Sequence, residues 1–282
     1  AARQSPALQK IVYTSTVNVL ALAEPPGSQG SEATCNPYEA RVKLHAFTSS
    51  ADTLQFIEQA RANAGNWVNR IDLGYYDSKL AAQELVNYYV QQYQLPVVSI
   101  LPGTMFGPYD HLLGTGLYLL SLYHNQMPVV TAGGLPLAHV MDVAAGQVLA
   151  MEKAASGSRY ILSGHEQDNR YLKDMCAIIV EVLRERFPDK TFRAPKVVVP
   201  AALALAAAWC SERFALLFNK PMLLSRAAAL PGLYAQFYSS ARAMHELGYQ
   251  PKHTFRQAVN DMLNYYITHN LLVPHDRWID KR

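Results

Sequence analysis

A helical pattern that runs straight into a short, unbroken apolar segment constrains this fold more than any other stretch of the sequence. From Tyr75 to Tyr93 the apolar residues Leu80, Ala81, Leu85, Tyr88 and Tyr89 recur at helical spacing, and Leu95-Pro96 ends the pattern. Val97-Val98-Ser99-Ile100-Leu101 follows at once. A continuous run of that length reads as a parallel strand covered on both faces. The theme recurs along the chain: Lys10 to Leu20 reads as a buried strand and its exit, and Met127–Thr131 and Tyr160-Ile161-Leu162 as further strands. Helical patterns cover Gly116–His124, the stretch from His139 through Met151, Tyr171–Arg186, Ala241–Leu247 before Gly248, and Phe255–His269. Pro102 to Pro108 reads as a turn-rich loop, Gly133-Gly134 as a turn, and Asp52–Ala64 as one more helix. Strands alternating with helices predict an α/β fold, a parallel sheet flanked by helices.

Half of the 282 residues are hydrophobic, so a sizeable core is available. The formal net charge is only +3 and no Lys/Arg tract occurs, which argues against nucleic acid as a partner. Cys35, Cys176 and Cys210 are far apart and follow no ligand spacing, a usage that fits a reducing, cytoplasmic compartment. The histidines are scattered as well, so no metal site is predicted. The opening residues, Ala1 to Pro6, lack the apolar core of a signal peptide. The most hydrophobic stretch, Val197–Cys210, is shorter than the ~20 residues a bilayer crossing takes. With Pro200 in its first turn it reads as a packed helix, while Trp209 and the Phe214–Phe218 segment keep a peripheral membrane contact open.

Tyr75 stands four residues before Lys79, on one face of the predicted helix. A nearby ammonium favours the ionised phenol, the property a proton shuttle at an alcohol or ketone carbon needs. Tyr76 is three residues from Lys79, and the spacing selects Tyr75. Upstream, the strand Ile11-Val12-Tyr13 ends in three hydroxyls, Thr14-Ser15-Thr16.

Strand hydroxyl, helix tyrosine and helix lysine resemble the active-site set of the extended short-chain dehydrogenase/reductases, the NAD-dependent epimerase/dehydratase family. Gly133-Gly134, His139–Ala144, Arg159–Gly164 and Leu247–Pro251 are, in that order, similar to its dihydroflavonol-reductase and hopanoid-associated epimerase branch. The resemblance implies an incomplete Rossmann-type domain over residues 1–164 and a mostly helical substrate lobe over 165–282, with 105–132 contributing to the lobe. It implies NAD or NADP as cofactor and a small-molecule substrate, a secondary alcohol or ketone on a nucleotide sugar or a hydrophobic ketone. Tyr75 would be the general acid/base, Lys79 would hold the cofactor ribose and lower the tyrosine pKa, and Thr16, with Ser15 as the fallback, would orient the substrate oxygen. Thr14, Pro102, Gly103, Thr104 and Met105 would join Tyr75 and Lys79 at the cofactor, with Gly103 allowing close backbone approach beneath the nicotinamide. Asp142 would cap the following helix, His139 would be a satisfied structural histidine, and a homodimer would form through the tyrosine-bearing helix.

Two departures qualify the resemblance. No Gly-x-x-Gly-x-x-Gly or Gly-x-Gly-x-x-Gly follows a strand in these residues, so the pyrophosphate lacks its usual helix N-terminus. The chain thus reads as a fragment that binds a dinucleotide poorly, and NAD cannot be told from NADP. The interval from Thr16 to Tyr75 is also longer than in relatives; its surplus, about residues 21–70, reads either as a lid over the cleft or as a surface insertion. A non-catalytic binding or regulatory module that keeps the fold is the competing function.

Overall fold

The structure, a computed structural model, describes residues 7–20, 28–33, 75–218 and 235–273, with the side chains of 75–77 and 201 excepted. In chain order its strands are β1 (Ile11–Thr14), β2 (Gln29–Gly30), β3 (Val97–Pro102), β4 (Thr104–Phe106), β5 (Val129–Thr131), β6 (Gly134–His139), β7 (Arg159–Leu162), β8 (Asn169–Tyr171), β9 (Val197–Val199) and β10 (Phe237–Tyr238). Its α-helices are α1 (Tyr75–Tyr93), α2 (Gly116–Tyr123), α3 (Val140–Lys153), α4 (Leu172–Arg186), α5 (Ala201–Phe218), α6 (Ala241–Leu247) and α7 (Phe255–Thr268).

The central sheet is parallel, in the order β1-β3-β7, with Thr14 opposite Ile100 and Pro102 opposite Leu162. All six residues of β3 are buried, as its unbroken apolar run requires. Alternate side chains serve opposite faces. Val98, Ile100, Tyr160 and Leu162 pack against Val143 and Ala150 of α3 and Ala243 and Leu247 of α6. Leu101 and Ile161 point the other way, to Val17, Val19 and Leu20 of the turn after β1 and to Tyr238. Helix α1 packs against that same turn. A second core joins Phe106, Leu119 and Leu120 to the inner stripes of α4 and α7. Helix ends follow local chemistry: Thr254 and Gln257 form a capping box at the start of α7, and Gly248 ends α6 at φ 73°.

Several expectations are corrected. Pro102–Pro108 is not all loop: Pro102 closes β3 and Thr104–Phe106 forms β4. Gly103 makes this possible, because a Cβ there would lie 2.5 Å from the Pro136 carbonyl oxygen. Gly134 is not in a turn but opens β6, a fully buried strand, and a Cβ on it would meet the Phe237 ring at 2.5 Å. These two glycines imitate turn chemistry; burial overrides it. Pro200 sits just ahead of α5, where its carbonyl receives the Ala204 N–H. Among the described side chains of that helix, Ala204 and Ala208 are buried. Of the 21–70 insertion, the described residues 28–33 pair β2 with β10 and send the buried Glu32 carboxylate to the Ile161 N–H at 2.8 Å. The expected helix at 52–64 lies outside the described residues.

Helix α1 is pinned to the sheet by polar contacts. Gln83, with no exposed surface, donates from Nε2 to Ser99 Oγ at 3.0 Å and to Asn87 Oδ1 at 3.1 Å. Removing one partner of a buried bond strands the other, at about 1–3 kcal/mol. Ser99→Ala should lower unfolding stability by that amount in urea titrations, and the Gln83→Leu/Ser99→Ala pair should recover part of it. Asp168 gives a second check. It is 2% exposed, its Oδ1 is 3.6 Å from Arg170 Nε, and burial raises its pKa against the pull of Arg170. The folded state therefore keeps a proton that the unfolded state loses near 3.8. Stability should fall as pH rises from there through the raised folded value. Asp168→Asn should flatten that slope in urea unfolding measured across the acid range.

Candidate active site

Thr16, Tyr75, Lys79 and the Pro102–Met105 segment sit on three elements whose levels relative to one another follow from the sheet register. Ser99, which receives Gln83, lies opposite Tyr13 on β1. From that level, three residues along the β1 direction lead to Thr16, about 10 Å away. Helix α1 joins β3 through Gln94–Pro96 alone, so it runs back antiparallel to the strands. Eight residues from Gln83 toward its start lead to Tyr75, about 12 Å away in the same direction. Lys79 falls between, on the helix face shared by Tyr75, Lys79 and Gln83. The start of α1 and the Thr16 turn thus reach one level. Lys79 is half-buried there, whereas the Tyr75 side chain lies outside the described residues.

The three hydroxyls are used differently. Thr14 is exposed and donates to Gln147 Oε1 of α3 at 3.0 Å. Ser15 donates its backbone N–H to Ile100 O at 2.7 Å. Its Oγ is buried without a hydrogen bond of ordinary geometry among the described residues, and its pull on the Tyr13 phenol is outweighed by burial, which pushes that phenol's pKa up. Thr16, 8% exposed, caps the Val17–Val19 turn by accepting from Asn18 N–H at 3.2 Å. Because Oγ1 is the acceptor in that bond, its own proton remains for another acceptor.

The strand-to-loop segment divides as well. Pro102 and Gly103 are buried, and the Gly103 N–H is spent on Leu162 O at 2.9 Å. Gly103 therefore serves the close approach of β3, β4 and β6 rather than a ligand's approach to its amide. Thr104 is half-buried and Met105 is 36% exposed. Met105 is at a cavity of about 310 Å³ whose lining includes Phe106, Pro108, Tyr109, Asp110, Thr115, Val140 and Met262. Asp110 uses its carboxylate on Gly114 N–H and Gly116 N–H, leaving a largely apolar wall.

Asp142 is not the helix cap. His139 caps α3: its Nδ1 accepts from Met141 N–H at 3.0 Å, leaving Nε2, 3.1 Å from Asp261 Oδ2, as the protonated nitrogen. Asp142, 3% exposed, instead receives the Lys252 and His253 backbone N–H groups and sits 2.7 Å from His253 Nδ1. The His253 ring stacks on His139 at 4.2 Å. Sequence reasoning missed Gln83 as the positioning residue. Its signal was a polar side chain on the inward face, one turn beyond Lys79. No group of three metal-ligating side chains occurs among the described residues.

Residues 60–162 match the profile of the NAD dependent epimerase/dehydratase family. A Synechocystis sp. protein, provisionally named dihydroflavonol 4-reductase, is 30% identical over 207 residues; the match covers 72% of this chain and 57% of that protein's length. The solved structure of gox2253 superposes with a TM-score of 0.65 at 26% identity, over 93% of this chain and 67% of the other. A UDP-glucuronic acid 4-epimerase from Bacillus cereus, solved with UDP-glucuronic acid and NAD, gives 0.59 at 15% identity, over 95% and 64%. Residues 60–162 therefore match the NAD dependent epimerase/dehydratase family, and the chain spans little more than half the length of its Synechocystis relative.

Proposed function

We propose that this chain carries the acid/base and substrate-binding parts of an NAD(P)-dependent oxidoreductase or epimerase that acts on a secondary alcohol or ketone. The observation that carries this reading is the Gln83–Ser99 bond, which sets the start of α1 level with Thr16 at the carboxyl edge of a parallel sheet. Open α/β sheets bind ligands at that edge. Tyr75 would pass a proton to or from the substrate oxygen, Lys79 would favour the phenolate, and Thr16 would donate its remaining proton to the same oxygen. Thr104 and Met105 would contact the cofactor beside them, with Pro102 and Gly103 shaping the backbone and Thr14 held by Gln147.

The residues present fit one end of a dinucleotide. The buried Ser15 hydroxyl, without an ordinary hydrogen bond among the described residues, and the Thr16 proton would serve a nicotinamide and its substrate there. Bound there, the nicotinamide would supply or accept a hydride at the carbon. The sequence offers no glycine-rich turn for the pyrophosphate. The cavity by Met105 has no Lys or Arg among its described lining residues, which favours a hydrophobic ketone over a nucleotide sugar. A homodimer through α1 belongs to the same proposal, since Tyr89 and Tyr93 remain 39% and 38% exposed on it. So does a cytoplasmic location.

Tyr75→Phe should lower ketone reduction by about 10²–10⁴-fold with the fold intact by circular dichroism. Unchanged turnover would favour the non-catalytic module. Titration of this chain with NADH or NADPH, followed by quenching of its tryptophan fluorescence, should give dissociation constants weaker than micromolar; a micromolar value would contradict the lack of a pyrophosphate anchor.

A further inference from the structure

Helix α5 is built in reverse of a water-facing helix. Its inward stripe is small, with Ala204 6% and Ala208 0% exposed. Its outward residues are large: Leu203, Trp209, Phe214, Leu216, Leu217 and Phe218 are 62%, 49%, 53%, 75%, 79% and 59% exposed. An ordinary amphipathic helix turns its bulky apolar side chains inward. Here the buried positions are alanines, and the leucines and aromatics are exposed. Val197 and Val198 of β9, shortly before the helix in sequence, are 56% and 40% exposed. Exposed apolar surface on this scale marks a binding face.

We propose that α5 lies in the plane of a lipid bilayer surface carrying anionic headgroups, with Phe214, Leu217 and Leu203 dipping into the acyl boundary. This goes beyond the chemistry proposed above and does not depend on it. Two observations select this occupant. Charge is the first: Arg193 and Lys196 ahead of β9 are exposed, and Arg213, exposed on α5 itself, extends over the Trp209 ring at 5.5 Å, so cations accompany the apolar residues. Such a combination of apolar residues and cations suits an anionic interface. Trp209 adds an amphipathic ring of the kind that settles at headgroup level. No helix among the described residues is long and apolar enough to cross a membrane, so α5 is assigned to the surface.

The test is flotation of this chain with vesicles of phosphatidylcholine, alone or mixed in equal parts with phosphatidylglycerol. The chain should float with the anionic vesicles. Phe214→Glu/Leu217→Glu should reduce the bound fraction about tenfold or more, and Arg193→Glu/Lys196→Glu should abolish the preference for the anionic mixture. Both pairs change exposed side chains, and circular dichroism should show unaltered helix content. A chain that stays at the bottom with both vesicle types would overturn the proposal. So would flotation untouched by Phe214→Glu/Leu217→Glu, or a dimer in sedimentation that these substitutions dissolve, which would give the face to a second copy.

Discussion

The hydrogen bond between Gln83 and Ser99 joins the one helix and the one strand whose relative height decides whether a site exists at all. Helix α1 is amphipathic only weakly, with Gln83 and Glu84 buried beside Leu80 and Ala81. Hydrophobic packing alone would tolerate sliding or rotation of such a helix over the sheet. A buried amide cannot slide without losing its partner. Fixing Gln83 at the level of Ser99 and Tyr13 fixes Lys79 one turn above it and Tyr75 two turns above it. The parallel register of β1 with β3 carries Thr16 to the same height.

A second set of polar contacts braces the far side of that edge. Gln147 of α3 holds Thr14 from below, and His139 caps the same helix while meeting Asp261 of α7. Asp142 collects two backbone N–H groups and the imidazole of the 252–253 segment. The carboxyl ends of β1 and β6 are thereby tied, through α3, to the helix that closes the lobe core. Val140 of α3 and Met262 of α7 also line the cavity beside Met105.

Much of this could be read from the residues in order. The limits of α1 follow from its apolar spacing and Leu95-Pro96, and the burial of β3 follows from an unbroken apolar run. Gly248 and Thr254 announce their helix ends by local chemistry. What escaped was set by contacts distant in sequence. Gly103 and Gly134 look like turn residues, yet they allow strands to approach because Ser163, Phe237 and the Pro136 carbonyl occupy the space a side chain would take. Asp142 carries a helix-start signature and serves another segment. Spacing alone sets Tyr75 and Lys79 on one face of α1, whereas the height of that face against the sheet depends on Gln83, whose role is visible only with Ser99 beside it. The outward bulk of α5 was hidden because hydrophobicity reports how apolar a helix is and not which way its large side chains face.

The central claim is that a phenol, an ammonium and an aliphatic hydroxyl meet at one point on the sheet edge. It is tested most directly by a high-resolution crystal structure of the chain, measured between Thr16 Oγ1, Tyr75 Oη and Lys79 Nζ. The account predicts that the two oxygens lie within about 6 Å of each other, so that one substrate oxygen is in hydrogen-bond reach of both, with the amine on the same side of the phenol. A phenol turned to the opposite face of α1, or one separated from Thr16 by packed side chains, would contradict it.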